Sequence, residues 1–397
     1  MTNAMTDQKF ELNQNNKVLP LVMIAIGVVA IAIGMIADPT RAWASLLINN
    51  FYFNAIALAG TFFVAVNTIA QTGWSVGLVR VPEAMGGFLK YSMIGMILIF
   101  IFGHHDLYFW THPEYYDKAS PEYDPILVGK SGFLNVPFYT VRLIAYALIW
   151  VGFTWMLRKR SLEEDAVGGI EPYRKKMGLS AVFVVLFAVT SSTSAWDFLM
   201  SIDSHWFSTL FGWYTFAGLF VSGMAMMAML ILYLKGRGYM GHINENHMHD
   251  VTKFMFAFSV FWTYLWFSQF MLIWYANLPE EVVYYQIRWN YFKSLWVANL
   301  LINFCAPFLV LMTRDAKRKV QVIWLAGTII ICGHWLDVYL MVTPGTVGKG
   351  WSVGFTEVGT FIGYLGLFLF STFRELSSAP LVPKNHPMLP ESVHHHI

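Results

Sequence analysis

The chain has 397 residues, 56% of them hydrophobic and only 13% charged, about half the charged share of an ordinary soluble domain. That composition excludes a soluble globular fold and points to a polytopic membrane protein, with 16 Trp, 19 Tyr and 33 Phe suited to helix packing and interfacial aromatic belts. A net charge of +2 leaves no footprint for nucleic acid, and two cysteines, Cys305 and Cys332, without any CxxC or CxxCH, exclude an iron–sulfur cluster or covalent haem held by this chain alone.

Residues 1–16 are polar, and the apolar stretch that follows, 18–37, is too long for a signal-peptide core and stops at Asp38-Pro39, so it reads as a retained first helix. Windows long enough to cross about 30 Å of hydrocarbon then fall at 50–71, 88–103, 135–157, 177–201, 211–234, 251–275, 289–313, 320–342 and 352–373. The expectation is an all-α fold of ten transmembrane helices forming one integral membrane domain, 1–397, with both termini on one side and a tail over 374–397. Of the 26 Lys and Arg, 17 fall on the side of the termini and five on the other, so the positive-inside rule makes both termini cytoplasmic. The longest loop, 104–134, lies on the opposite side and carries five acids, many aromatics and several prolines, as a docking surface or lid would.

Taken along the chain, ionisable groups recur where lipid disfavours them: His104, His105 and Asp106 at the end of the third span, Arg142 in the fourth, Asp197 in the fifth, Lys293 in the eighth, His334 and Asp337 in the ninth and Glu357 in the tenth. With the expected topology all converge on the outer half of the membrane, and such groups mark substrate or proton pathways. Thr190, Ser194, Asp197 and Ser201 follow at i+4, i+3, i+4, and so do Asn135, Tyr139, Arg142 and Tyr146, so each set lines one helix face. A carboxylate stripe beside a guanidinium stripe can pair and spare each charge from lipid. His334 and Asp337 share a face at i+3, where they can satisfy each other, and Glu357, Thr360 and Tyr364 share another. His242, His247 and His249 lie between spans with Asn244, Glu245 and Asn246 and read as a solvated loop; no metal is expected.

Spans 2–5 and 6–9 resemble two copies of one four-helix unit, 50–201 and 211–342, parallel in topology. Trp110-Thr111-His112-Pro113-Glu114 after span 3 matches Trp274 to Glu280 after span 7. Asn135 to Arg142 matches Asn290-Tyr291-Phe292-Lys293, and Trp196-Asp197-Phe198 matches Trp335-Leu336-Asp337-Val338-Tyr339. Spans 1 and 10 flank them, with Ala30-xxx-Gly34 and Gly359-xxx-Gly363 as small-residue packing faces.

Two four-helix units with flanking helices resemble the polysulfide-reductase/NrfD-like superfamily of membrane subunits. The segment Ser194-Ala195-Trp196-Asp197-Phe198-Leu199-Met200-Ser201-Ile202-Asp203-Ser204-His205-Trp206-Phe207-Ser208-Thr209 with Gly212-Trp213-Tyr214, and the tail from Pro383 through Glu391 to His396, resemble the ActF-type second quinone-binding-type subunit of bacterial alternative complex III. The resemblance implies a respiratory quinol:cytochrome c oxidoreductase, or one that feeds a terminal oxidase, in the bacterial inner membrane. It implies as partners an iron–sulfur subunit, haem c subunits, a sister NrfD-like subunit, small membrane subunits and lipids, and as cofactor a quinone, menaquinone or ubiquinone, with no haem or iron–sulfur cluster on this chain. Carried onto this sequence, Asp197 with His104 or His105, and Arg142 and Tyr139 beside them, become candidates for quinol contact. His334, Asp337, Glu357, Lys293, Ser194, Ser201 and Asp203 become candidates for a proton path. Two function classes follow: an energy-converting subunit, not an enzyme alone, with a quinol pocket, a proton path or both, and a structural membrane scaffold whose polar core only specifies packing.

Overall fold

The computed structural model describes residues 7–396; the first six residues of the polar N-terminal stretch and the terminal Ile397 lie outside them. Among the described residues the chain is helical, without a strand, and ten helices are long and apolar enough to cross a membrane. These are α1 (Gln14–Ala37), α2 (Pro39–Ile69), α3 (Arg80–Leu107), α4 (Val136–Val167), α5 (Glu171–Phe198), α6 (Leu210–Gly236), α7 (Glu245–Ala276), α8 (Lys293–Leu311), α9 (Val320–Thr346) and α10 (Phe355–Ser377).

Several boundaries differ from the sequence expectation, α4 for instance running on to Val167. α2 starts at Pro39 rather than near 50, because the Asp38 carboxylate accepts the Arg41 N–H and Pro39 supplies a preset first turn; Asp38 is the whole turn between α1 and α2. α3 starts at Arg80 and runs in two pieces, Arg80–Gly86 and Leu89–Leu107. Before α8 lies a separate surface helix, Pro279–Tyr291, and the chain turns at Phe292. Within α8, residues Leu301–Cys305 widen into a π turn immediately before Pro307, whose missing N–H and bulky ring disturb the regular ladder.

α2, α6 and α9 form the centre, with 78%, 83% and 67% of their apolar windows buried, against 22% for α1. Neighbour relations put α2 against α3 and α5, α3 against α4, and α4 against α5; α6 packs on α7 and α9, and α8 fills the space between α7 and α9. α2 and α6 join the two sets, with α5 touching α6 and α2 touching α9. Lipid offers no apolar incentive for one helix to prefer another, so polar ties and close packing fix the arrangement. Tyr52 donates to the Ile331 carbonyl at 2.8 Å, Trp335 Nε1 to Asn49 at 2.9 Å, and Thr61 meets Thr154 at 2.8 Å. α1 packs chiefly on α10, through small residues: a Cβ built at Gly27 would lie 2.5 Å from the Gly363 Cα, and one at Gly359 would lie 2.4 Å from the Ala30 Cβ.

Both ends of the described chain lie on one face. Leu381 N–H donates to the Gln8 carbonyl, Lys384 N–H to Asp165, and Asn244 Nδ2 to the His395 carbonyl, while His395 Nε2 meets Asp250 at 2.7 Å. The tail is thus a strap across the helix ends. It also corrects the reading of His242, His247 and His249 as a solvated loop: His247 and His249 are buried, and His242 bonds to the Gly77 carbonyl at 2.9 Å. Ser392 seals them in, accepting the Gly77 N–H and donating to the Trp74 carbonyl. Burial lowers the His242 pKa from its ordinary value. On the opposite face the 104–134 loop folds down: Asp124 caps the short helix Pro125–Lys130 and bonds to His205, and Lys130 Nζ donates to the Ser204 carbonyl at 2.6 Å.

Candidate functional site

Four helices converge on Asp337. Tyr214 of α6 and Asn299 of α8 donate to Oδ1, the latter at 2.8 Å, and Trp262 Nε1 of α7 donates to Oδ2 at 2.9 Å. Asn303, in the π turn of α8, donates to Asn299 at 2.7 Å and to the Gly333 carbonyl at 2.9 Å. The wide turn therefore places two asparagines in register with α9, a use π turns often serve at functional sites. Among the described residues no cation pairs with Asp337, which is 3% exposed. Its charge is thus met by neutral donors alone, unlike that of a carboxylate gripped by a guanidinium.

Two small cavities of about 20 Å³ adjoin it, each with room for about one water. The first is lined by Tyr214, Gln269, Tyr284, Tyr285, Arg288 and Asn299 among others. The second holds His334, which stands edge-on to Trp262 at 5.3 Å and has no protein hydrogen bond at either ring nitrogen. His334 and Asp337 are therefore not a mutually satisfied pair, contrary to the i+3 reading: Asp337 is taken up by α6, α7 and α8, and His334 faces a cavity.

Arg288 and Tyr284, on the surface helix, divide the first cavity from a larger cleft of about 490 Å³ at the face opposite the termini. The Arg288 guanidinium stacks 3.2 Å from the Tyr284 ring centre and donates to Asp203 at 3.3 Å. Asp203, His205, Asp124 and Glu280 stand in the cleft wall.

The other aspartate is held differently. Arg142 grips Asp197 with two bonds, Nε at 2.8 Å and Nη2 at 2.7 Å, Tyr146 adds a third at 2.7 Å, and the guanidinium sits between the Phe133 and Phe138 rings at 3.9 and 4.3 Å. Ser201 donates to the Asp197 carbonyl and Ser194 to the Ser191 carbonyl, both local helix bonds. Tyr139 is buried and donates to Tyr108 at 3.4 Å. His104 bonds to the Phe100 carbonyl at 2.9 Å, and His105 stacks between His104 and His112 at the end of α3. Glu357 is paired with Arg41, Nη2 to Oε2 at 2.7 Å, and caps the start of α10. Lys293 is the first residue of α8, exposed, 4.6 Å from the Trp289 ring. The structure thus brings Asp337 and His334 to one pair of cavities and Asp203 to the cleft beyond, while Arg142 with Asp197, and Glu357, form closed pairs elsewhere.

Comparison with known family models and with curated proteins finds no match to this chain. Sequence reasoning also missed Tyr214, Trp262, Asn299 and Arg288 as the surroundings of Asp337. It missed an ionic cluster at the termini side of α3 to α5 as well. There Glu83 receives Arg158 at 2.6 Å, Arg80 at 3.0 Å and Lys176 at 3.5 Å, all buried or nearly so. Pro82-Glu83 beside Arg80 was the available signal, in a stretch between the expected windows 50–71 and 88–103.

Proposed function

We propose that this chain is a membrane subunit of a respiratory quinol oxidoreductase of the alternative complex III type, and that its own contribution is a proton-exchanging carboxylate, Asp337. Assignment to that complex rests on the resemblance carried by residues 194–214. The role within it rests on one observation: Asp337 is held by neutral donors from three other helices, with no cation paired to it among the described residues, against cavities of water size. Quinol oxidation releases two protons with two electrons, and a buried acid with water on either side can relay such protons. His334 and Asp203 extend the path, toward the helix interior and toward the outer cleft.

In this reading α2–α5 and α6–α9 are two parallel four-helix units, the membrane is the bacterial inner membrane, and the 17-to-5 bias of Lys and Arg places both termini in the cytoplasm. Electrons travel through the iron–sulfur and haem c partners toward cytochrome c or a terminal oxidase. A menaquinone or ubiquinone headgroup bound next to Asp337 would need the outer cleft of about 490 Å³, since the Asp337 cavities are too small for a ring. The tight Arg142–Asp197 pair favours packing as the role of that site.

The test uses the intact complex. Asp337→Asn is expected to assemble normally and to lower quinol turnover per complex at least tenfold; unchanged turnover would return the subunit to the scaffold reading. An azido-quinone that labels residues 202–206 or 280–287, suppressed by native quinone, adds quinol binding to the role, and specific label confined to another subunit removes it.

A further inference from the structure

A second, larger space lies on the termini side of the molecule, between α1 and the central helices. This cleft of about 790 Å³ is bounded by the first turns of α1, the last turns of α6, the first half of α9 and the second half of α10. Its wall is apolar, with Val22, Met229, Leu230, Trp324, Ile331 and Leu365 as typical members. Thr328, the one hydroxyl in its depth, is spent on the Trp324 carbonyl at 2.9 Å.

Its length limits the occupant. The lining runs from Met226 to Arg237 on α6 and from Trp324 to Cys332 on α9, about 12–17 Å at 1.5 Å per residue. That is roughly half of a 30 Å hydrocarbon core, the depth of one leaflet. A spanning helix from a neighbouring protein would need the full depth, whereas an acyl chain needs only this half.

The mouth supplies the charge. Arg237 lines it, 5.3 Å from the Tyr233 ring, and Lys17 stands in the first turn of α1 between the lining residues Asn16 and Val18; both cations are exposed. Among the described residues neither forms an ion pair with a carboxylate. Tyr233 donates to Asn16 at 2.7 Å, which ties α6 to α1 at the mouth. An apolar slot one leaflet deep, ending in two free cations at the level of the headgroups, matches an anionic phospholipid.

We propose that the cleft binds one anionic phospholipid from the leaflet on the side of the termini, with acyl chain between α1, α6 and α9 and phosphate at Arg237 and Lys17. The site needs only the spanning helices and is independent of the role of Asp337.

Native mass spectrometry of the full-length chain released from detergent micelles, with phosphatidylglycerol or phosphatidylcholine added, tests it. The wild type is expected to keep one phosphatidylglycerol and to prefer it over phosphatidylcholine at least tenfold. Arg237→Gln with Lys17→Gln should reduce that preference to about twofold or less while leaving a bound lipid. Met229→Trp, which fills the slot, should abolish the adduct; Val22→Trp does the same from the exposed side of α1 if the first variant fails to fold. Equal retention of both lipids by the wild type, or an adduct indifferent to both Trp variants, overturns the proposal. So does displacement of the lipid by an isoprenoid quinone or a partner's transmembrane helix.

Discussion

Asp197 lies at the end of α5 and Asp337 inside α9; the first faces a guanidinium, whereas the second faces a phenol, an indole and an amide. The difference predicts opposite mutational behaviour. Asp197→Ala strands Arg142, whose side chain is only 10% exposed, and breaking a buried pair on one side costs about 3–5 kcal/mol. Denaturant titration of the full chain in detergent should show that loss, and a change below about 1 kcal/mol would mean that lipid or water rescues the cation. Asp337→Asn keeps the shape and sacrifices one donor match, at about 1–3 kcal/mol, with its main effect on turnover. His334 sharpens the distinction, because neither ring nitrogen has a protein partner. Replacing it with Leu removes a buried polar group and should leave stability unchanged or raise it by about 1 kcal/mol, while proton-coupled turnover in the intact complex falls. A packing role predicts the reverse, with lost stability and intact turnover.

Helices α1 and α10 show what small residues do at the level of elements. Gly27 and Gly363 approach so closely that a Cβ on either would lie within 2.6 Å of the other's backbone. Gly363→Ala should therefore push the helices apart and cost roughly 1–3 kcal/mol, detected as faster protease access to α1. Gly152→Ala, a helical glycine with nothing within 4 Å of the added carbon, is the control and should be neutral or slightly stabilising. This contact was partly legible in the sequence, because Ala30, Gly34, Gly359 and Gly363 repeat at helical spacing, and so were the apolar windows of all ten helices. The Arg142 and Asp197 stripes could be read from spacing as well. The first turns of α2 were not legible, since Asp38, Thr40, Arg41 and Asn49 dilute the apolar window although Leu47 and Ile48 are buried. Nor were the surroundings of Asp337: Tyr214, Trp262 and Asn299 are neutral and lie on three helices remote in sequence, so no periodicity joins them. Lys293 and Glu357 lie in the first turns of α8 and α10, near the span ends where the sequence put them.

At the scale of the whole molecule, the C-terminal strap fastens the helix ends of both halves, touching Gln8, Asp165, Trp74, Asn244 and Asp250 in turn. One of its buried anchors is His386, edge-on to Tyr173 and 3.8 Å from Glu164. Burial, and then the nearby positive charge of Lys176, press its pKa down to about 3; Arg80 acts in the same sense and Glu83 against it. In a released tail the imidazole would titrate near ~6.5. The folded value lies below the unfolded one, so the docked strap holds its full stability above pH 6.5 and loses it as the pH falls from there toward 3. At pH 5 the imidazole is about 1.5 units below its released pKa, a weakening of docking by roughly 2 kcal/mol at 1.36 kcal/mol per unit. Limited proteolysis of residues 378–396 should accelerate more than tenfold between pH 7.5 and pH 5 in the wild type. His386→Asn, which cannot protonate in this range, should cut at one rate throughout. If wild type and variant respond to acid equally, the strap is released by another group, and carboxylates it contacts, among them Glu164, Asp165 and Asp250, become the ones to replace.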